Sequence, residues 1–165
     1  MEMLISIGVG SIIISAVAML MWYNARSLAA ISNYAELDQD SRYALDTMTR
    51  EIRSATRIVT YKTNEIVLNA RGGTNNLRYF YNAGTREFAQ FKNGSRTTLL
   101  TGCDEMLISI FGRNNISNQF SQFGTTNAAN AKMIRFTWTC SRDILGARVN
   151  TESVQSAKIV LRKQN

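Results

Sequence analysis

The chain has 165 residues, 45% of them hydrophobic, and its 19 Lys and Arg outweigh 12 Asp and Glu to give a net charge of +7. It contains no histidine, no proline and two cysteines, which excludes histidine-based triads, histidine metal sites and four-cysteine zinc sites. The basic residues run from Arg26 to Lys163 without a block of five, so the charge reads as a solvated basic surface, with nucleic acid only a side hypothesis.

The first element is the apolar run MEMLISIGVGSIIISAVAMLMW, in which Glu2 is the only charge. It is long enough to cross a bilayer as one helix. A carboxylate in such a run is unfavourable in lipid unless something neutralises it. A cleavable secretory signal would fit Ala16-Val17-Ala18 but not the absence of a basic stretch ahead of the apolar core. The Gly8-Val9-Gly10 pair has no strand before it and no third glycine, so it is not read as a nucleotide loop. Residues 1–25 are expected to form a transmembrane segment and residues 26–165 a soluble globular domain.

From Leu28 the pattern turns amphipathic. Leu28, Ile31, Tyr34, Leu37, Ser41, Leu45, Met48, Ile52 and Ala55 recur every three or four residues, with charged residues between them. No glycine or proline interrupts Ser11 to Ala55. The amphipathic helix over 26–56 therefore continues the span, as one rod of about 55 residues and roughly 80 Å.

After Ala55 the residue types switch to β-formers in RIVTY at 57–61. Strands are expected at 65–70, 76–82, 86–92 and 95–100, with turns at RGGTNN, NAGT and Asn93-Gly94. The last of these favours a tight type I′ hairpin. Further strands are expected at 104–111, 132–140 and 156–163. The polar 112–131 stretch reads as a surface loop with one short strand near Phe120 and Phe123. The triplets Asn93-Gly94-Ser95 and Asn115-Ile116-Ser117 match a glycosylation signal but read as turns. A helix with one apolar stripe and a sheet with one apolar face bury each other. The expected fold is α+β, with a long N-terminal α-helix, membrane-spanning in its first half, whose second half packs on an antiparallel β-sheet over 57–165.

Cys103 precedes one strand and Cys140 ends another. An antiparallel register pairing Cys103 with Cys140 sets Leu107 against Phe136. A bridge there would close a loop of about 37 residues and stabilise by roughly 3–4 kcal/mol. A register shifted by one residue would instead put Met106 and Ile108 on the core face with Phe136 and Ile134, and would separate the cysteines.

With these elements in view, the chain resembles the type IV pilin-like superfamily. MEMLISIGVGS, with its isolated glutamate, resembles the pilin N-terminus. SRYALDTMTREIRSA, LRYFYNAGTREFAQFKNGSRTTLLTG and ESVQSAKIVLRK resemble W-type minor pilins and J-type minor pseudopilins of type II secretion. The resemblance implies a structural subunit with no enzymatic activity, cofactor or metal. It implies insertion in the inner membrane with the C-terminal domain in the periplasm, processing by a prepilin peptidase, and methylation of the new amine. It further implies assembly with other pilin or pseudopilin subunits, through the N-terminal helix, into a periplasmic or extracellular filament. Glu2 would then pair with the N-terminal amine of a neighbouring subunit; the other reading leaves it at the membrane edge, favoured by the helix dipole. An oxidising periplasm would permit the Cys103–Cys140 disulfide.

Two features depart from the family. Glu2 lies nearer the chain start than the pilin glutamate does, so a leader and a few mature residues are expected upstream. The helix also lacks the proline that bends many pilins, leaving Gly8 and Gly10 as the expected sites of any bend. A second reading from a different class is a single-span anchored binding module, whose 112–131 loop contacts a ligand, a secreted substrate or DNA.

Overall fold

The computed structural model describes residues 2–70, 76–113, 121–144 and 153–161. One helix, α1, runs unbroken through Glu2–Ser54, 53 residues in all. With no breaker in its second half and only Gly8 and Gly10 in its first, nothing in the backbone separates the apolar part from the amphipathic part. At 1.5 Å per residue it is about 80 Å long. It ends where Ala55 N–H donates to Ile52 O and Thr56 N–H turns to Asn69 O, as the β-forming residues begin.

Two antiparallel sheets follow. The first is a meander of β1 (Arg57–Lys62), β2 (Glu65–Asn69), β3 (Asn76–Asn82), β4 (Glu87–Lys92) and β5 (Ser95–Leu100), in that order. The β4–β5 turn has Asn93 at φ 53° and Gly94 at φ 78°, the left-handed pair that a type I′ hairpin requires. In the β3–β4 turn Asn82 Oδ1 accepts from Gly84 N–H at 2.9 Å. The second sheet has the order β7-β6-β8-β9, built from β6 (Cys103–Arg113), β7 (Gln122–Thr125), β8 (Ala131–Cys140) and β9 (Ser153–Val160). A single 3-10 turn at Ala128–Asn130 precedes β8. The expected RGGTNN turn falls largely, and Asn115-Ile116-Ser117 wholly, outside the described residues.

The single expected sheet is thus corrected to two. The break lies at Gly102, which takes φ +65°. A Cβ there would lie 2.7 Å from Ser141 O, so the chain passes close under the end of β8 and leaves β5 instead of pairing back along it. In β9, Ala157, Ile159 and the following Leu161 are buried while Lys158 and Val160 are exposed, as their alternation predicts.

The helix lies against β5 of one sheet and β9 of the other, and all three elements share one core. Leu37, Ala44, Met48 and Ile52 from α1 meet Ile66, Leu77, Tyr79 and Phe88 of the first sheet and Ile108, Phe136 and Trp138 of the second. Tyr79, Phe88 and Phe136 form an aromatic triangle with centroids 6.0–6.1 Å apart. Trp138 Nε1 donates to Ser41 Oγ at 3.3 Å, so this polar residue in the helix stripe has a buried partner.

The stripe begins later than its periodicity suggests. Leu28, Ile31 and Tyr34 are 68%, 63% and 43% exposed, because the helix passes the end of the sheets near Leu37. Leu45 is only half-buried, while Ala44 and Thr47 are buried.

Candidate functional site

Two places concentrate what the chain could do. The first is the free part of α1. From Met3, 83% exposed, to Tyr23, 59% exposed, its large apolar side chains are exposed. Among the described residues this is the one helix long and apolar enough to cross a membrane. Its polar residues are satisfied internally. Ser6, Ser11 and Ser15 donate to the carbonyls of Glu2, Gly8 and Ser11 at 3.0, 2.8 and 2.7 Å, the arrangement that lets a hydroxyl sit in hydrocarbon.

Glu2 stands in the first turn, where a negative charge favours the helix dipole. Among the described residues it has no ion-pair partner. The first basic side chain along the helix is Arg26, about 36 Å further along the axis. Gly8 and Gly10 are open on all sides, with nothing within 4 Å of where a Cβ would stand, and the helix continues through both.

The second place is the junction around the cysteines. Cys103 and Cys140 face each other across β6 and β8, and both are buried. Beyond them the register shifts: Glu105 pairs with Thr139, Met106 with Trp138, and Ile108 with Phe136. Asp104 is therefore the extra residue of a β-bulge. The bulge reconciles two arrangements that a straight ladder makes exclusive. The cysteines are opposed, and Met106, Ile108 and Ile110 also face the core. The expected pairing of Leu107 with Phe136 is corrected: Leu107 pairs with Thr137 and is 43% exposed.

Charged and polar groups that the sequence reading passed over surround this pair. Asp104 Oδ1 receives Arg86 Nη2 at 2.7 Å, and its Oδ2 accepts from the Ser141 hydroxyl. Arg86 Nη2 also donates to Gly102 O at 3.0 Å and Ser141 Oγ at 2.9 Å. Arg86 takes φ 56°, an unfavourable backbone for arginine; its own carbonyl accepts from Cys103 N–H at 2.9 Å. The Tyr81 hydroxyl reaches Cys103 O and Asp104 O at 2.9 and 3.0 Å. Arg142 Nη1 donates to Thr101 O at 2.6 Å, and its Nη2 reaches Asp40 and Glu36 of the helix at 3.2 and 3.4 Å. The cluster ties both sheets to α1. Charges directly after each cysteine, Asp104 and Arg142 two positions on, were the only sequence signal for it.

Both cysteines are free thiols. The adjoining Cys140 thiol, with burial, pushes the Cys103 thiol up, while Cys103 in turn pulls Cys140 down against its burial. The Ser141 hydroxyl is buried and donates to Asp104. Among the described residues no group of three His, Cys, Asp or Glu is placed to hold a metal ion. The expected 112–131 loop is partly outside the described residues; the rest holds the end of β6, β7 paired to β6, the 3-10 turn and the start of β8.

No family model, curated protein or solved structure matches the chain.

Proposed function

We propose that the chain is a structural assembly subunit, a minor pilin or pseudopilin, of a type IV pilus or a type II secretion pseudopilus. In this reading it is inserted in the inner membrane with its folded domain in the periplasm. It is processed by a prepilin peptidase and drawn into a helical filament by its N-terminal helix. The observation that carries the proposal is the division of α1. One continuous 53-residue helix has its first part apolar and uncovered, while its last part is built into the core. An ordinary anchor needs only the bilayer's width of helix. A rigid connection between span and domain serves a subunit whose helix must pack beside its neighbours' helices at a set height.

In such a packing Glu2 meets the N-terminal amine of an adjacent subunit, a cation that no ion pair among the described residues supplies. The test uses Glu2→Leu, Glu2→Gln and Glu2→Asp, expressed in the native host, comparing abundance in the membrane fraction with incorporation into sheared filaments or cross-linked pseudopilus complexes. Glu2→Leu should enter the membrane at least as well as the parent, because the carboxylate is gone, and should fail to assemble. Glu2→Gln should behave like the leucine variant and Glu2→Asp should be intermediate. Normal incorporation of Glu2→Leu at equal abundance would defeat the amine-pairing role and leave the helix dipole as the reason for Glu2.

A further inference from the structure

We propose that Arg135 and Lys158, on the outer face of the second sheet, form a binding site for a tetrahedral oxyanion, a phosphate or sulfate group. The strand ladder brings them together. Arg135 pairs with Lys158 across β8 and β9, while their neighbours Ile134, Phe136 and Ile159 are buried in the core, so both cations face outward. In the same register Leu161 N–H donates to Lys132 O. Hydrogen-bonded pairs alternate along an antiparallel ladder, which makes Arg135 and Lys158 a non-hydrogen-bonded pair. Such pairs hold their Cα atoms about 4.5 Å apart with side chains close. Like charges placed directly opposite destabilise a sheet.

No carboxylate among the described residues offsets them. Arg78, Arg86, Arg96 and Arg142 each hold an acidic side chain. Arg135 and Lys158 make no ion pair and donate no hydrogen bond among the described residues. Glu105, the one acid on this face among them, pairs with Thr139, four residues along β8 from Arg135 and about 13 Å away. Arg135 is half-buried, with its guanidinium carbon 4.5 Å from the Phe111 ring centre and its Nε closed off without a partner. Stacking orients the guanidinium plane, and the two Nη groups remain to take an oxyanion edge-on.

Neighbouring hydroxyls add donors. Thr137 and Ser156, the next pair along the ladder, lie 3.3 Å apart at their hydroxyls, and Ser109 pairs with Arg135 from β6. A planar fork, an ammonium and hydroxyls on separate strands suit four oxygens arranged tetrahedrally better than the flat pair of a carboxylate. Position excludes the headgroups of the chain's own bilayer. Trp138 meets Ser41, and Arg142 meets Asp40 and Glu36, so β8 runs antiparallel to α1 and Arg135 stands level with a point beyond Ser41. That point is roughly 35–40 Å along the helix axis from Trp22, where the apolar run ends. The oxyanion therefore comes from solution, free or as an ester on a soluble molecule.

The test follows thermal unfolding of the full chain in uncharged detergent micelles, with sodium phosphate or sodium sulfate replacing sodium chloride at constant ionic strength and pH. The parent's Tm should rise by about 3–6 °C at about ten times the dissociation constant. General salt exclusion stabilises every variant alike, so the difference between parent and variant is what counts. Lys158→Thr should melt about 1–3 °C above the parent in chloride, because the like-charge contact is gone, and should lose the specific response. Arg135→Gln should lose it too, and Lys158→Arg should keep it. Arg113→Gln, which removes a cation at the far end of β6, should respond as the parent does. An equal rise in the parent and Lys158→Thr, or an equal loss in Arg113→Gln and Lys158→Thr, would overturn the site and leave only the screening of a basic surface. Phenyl phosphate separates the two sources. A response at lower concentration than inorganic phosphate assigns the site to an esterified group, and an equal or weaker one assigns it to the free ion.

Discussion

The two ends of α1 share one backbone and differ in what surrounds them. Toward the N-terminus, Ile12, Ile13 and Ile14 are all exposed, on successive positions that cover every side of the helix. Toward the C-terminus, Leu37, Ser41, Ala44, Met48 and Ile52 are buried, and charged residues such as Asp38, Arg42, Asp46 and Arg50 lie exposed between them. The first pattern cannot be satisfied by one flat partner, because a sheet covers one side only; it calls for lipid or a ring of helices. The second is satisfied completely by two sheet edges. Between them Leu28, Ile31 and Tyr34 keep the spacing of the second region and the exposure of the first. Amphipathic spacing therefore does not by itself mark where a domain begins.

The largest effect should come from the same truncation made at both ends. Ile52 is fully buried, so Ile52→Ala should lower domain stability by about 2–5 kcal/mol. Ile12→Ala should leave the domain unchanged to within about 0.5 kcal/mol. Thermal unfolding of the full chain in detergent, followed by near-UV circular dichroism, compares them. A similar loss for both variants would mean that the free half contributes to the domain.

A second pair concerns glycines. Gly102→Ala places a Cβ 2.5 Å from Arg142 Nη1 and 2.7 Å from Ser141 O at a positive φ, and should destabilise by roughly 1–3 kcal/mol. Gly10 has nothing within 4 Å, so Gly10→Ala should strengthen the helix by about 1 kcal/mol without altering the domain. Denaturant midpoints for the domain should move only for Gly102→Ala.

Arg142→Ala removes the tie between the sheet junction and Asp40 and Glu36. Both carboxylates are more than a third exposed, so solvent screening holds the loss to about 1 kcal/mol. Hydrogen exchange should show it better than melting does. Amides near Asn33 to Asp40 should lose protection while those near Ile52 keep it. Equal loss along the whole helix would indicate general unfolding and not a local clamp.

The smallest effect is expected at Tyr79, whose ring is buried and whose hydroxyl has no partner among the described residues. Burial, aided by the Glu51 charge, raises its pKa well above the usual phenol range. The unfolded phenol ionises near pH 10 and the folded one does not, so the unfolded state binds fewer protons above that pH and stability falls as pH rises. Tyr79→Phe should be neutral, or more stable by less than about 1 kcal/mol, at pH 7. It should also flatten much of the alkaline decline. A clear loss at pH 7 would mean the hydroxyl has a partner, such as a buried water.

Much of this architecture was legible because local rules agree. The three-and-four spacing through Met48 and Ile52, the absence of a helix breaker, and Asn93-Gly94 between alternating runs each act within a few residues, and each holds in the structure. The alternation of Ala157, Ile159 and Leu161 likewise told which side of the last strand is buried. The exposed Leu28, Ile31 and Tyr34 were not legible, since where a sheet ends along a helix depends on strands over a hundred residues away. Nor was the cluster of Arg86, Asp104, Ser141 and Arg142, whose members come from three separate turns and strand ends.

The cysteine junction marks the boundary between the two kinds of information. Sequence alone determined that Cys103 and Cys140 flank strands that can pair, and that Met106, Ile108, Phe136 and Ile134 form apolar faces. A strand's period of two leaves only a choice between these demands, since one register serves the cysteines and the other the core. The tertiary structure decided that both are met, by giving β6 one extra residue at Asp104. That residue is held there by Arg86 and Ser141. A bulge changes strand parity without changing composition, so its position follows from distant partners that no local pattern encodes.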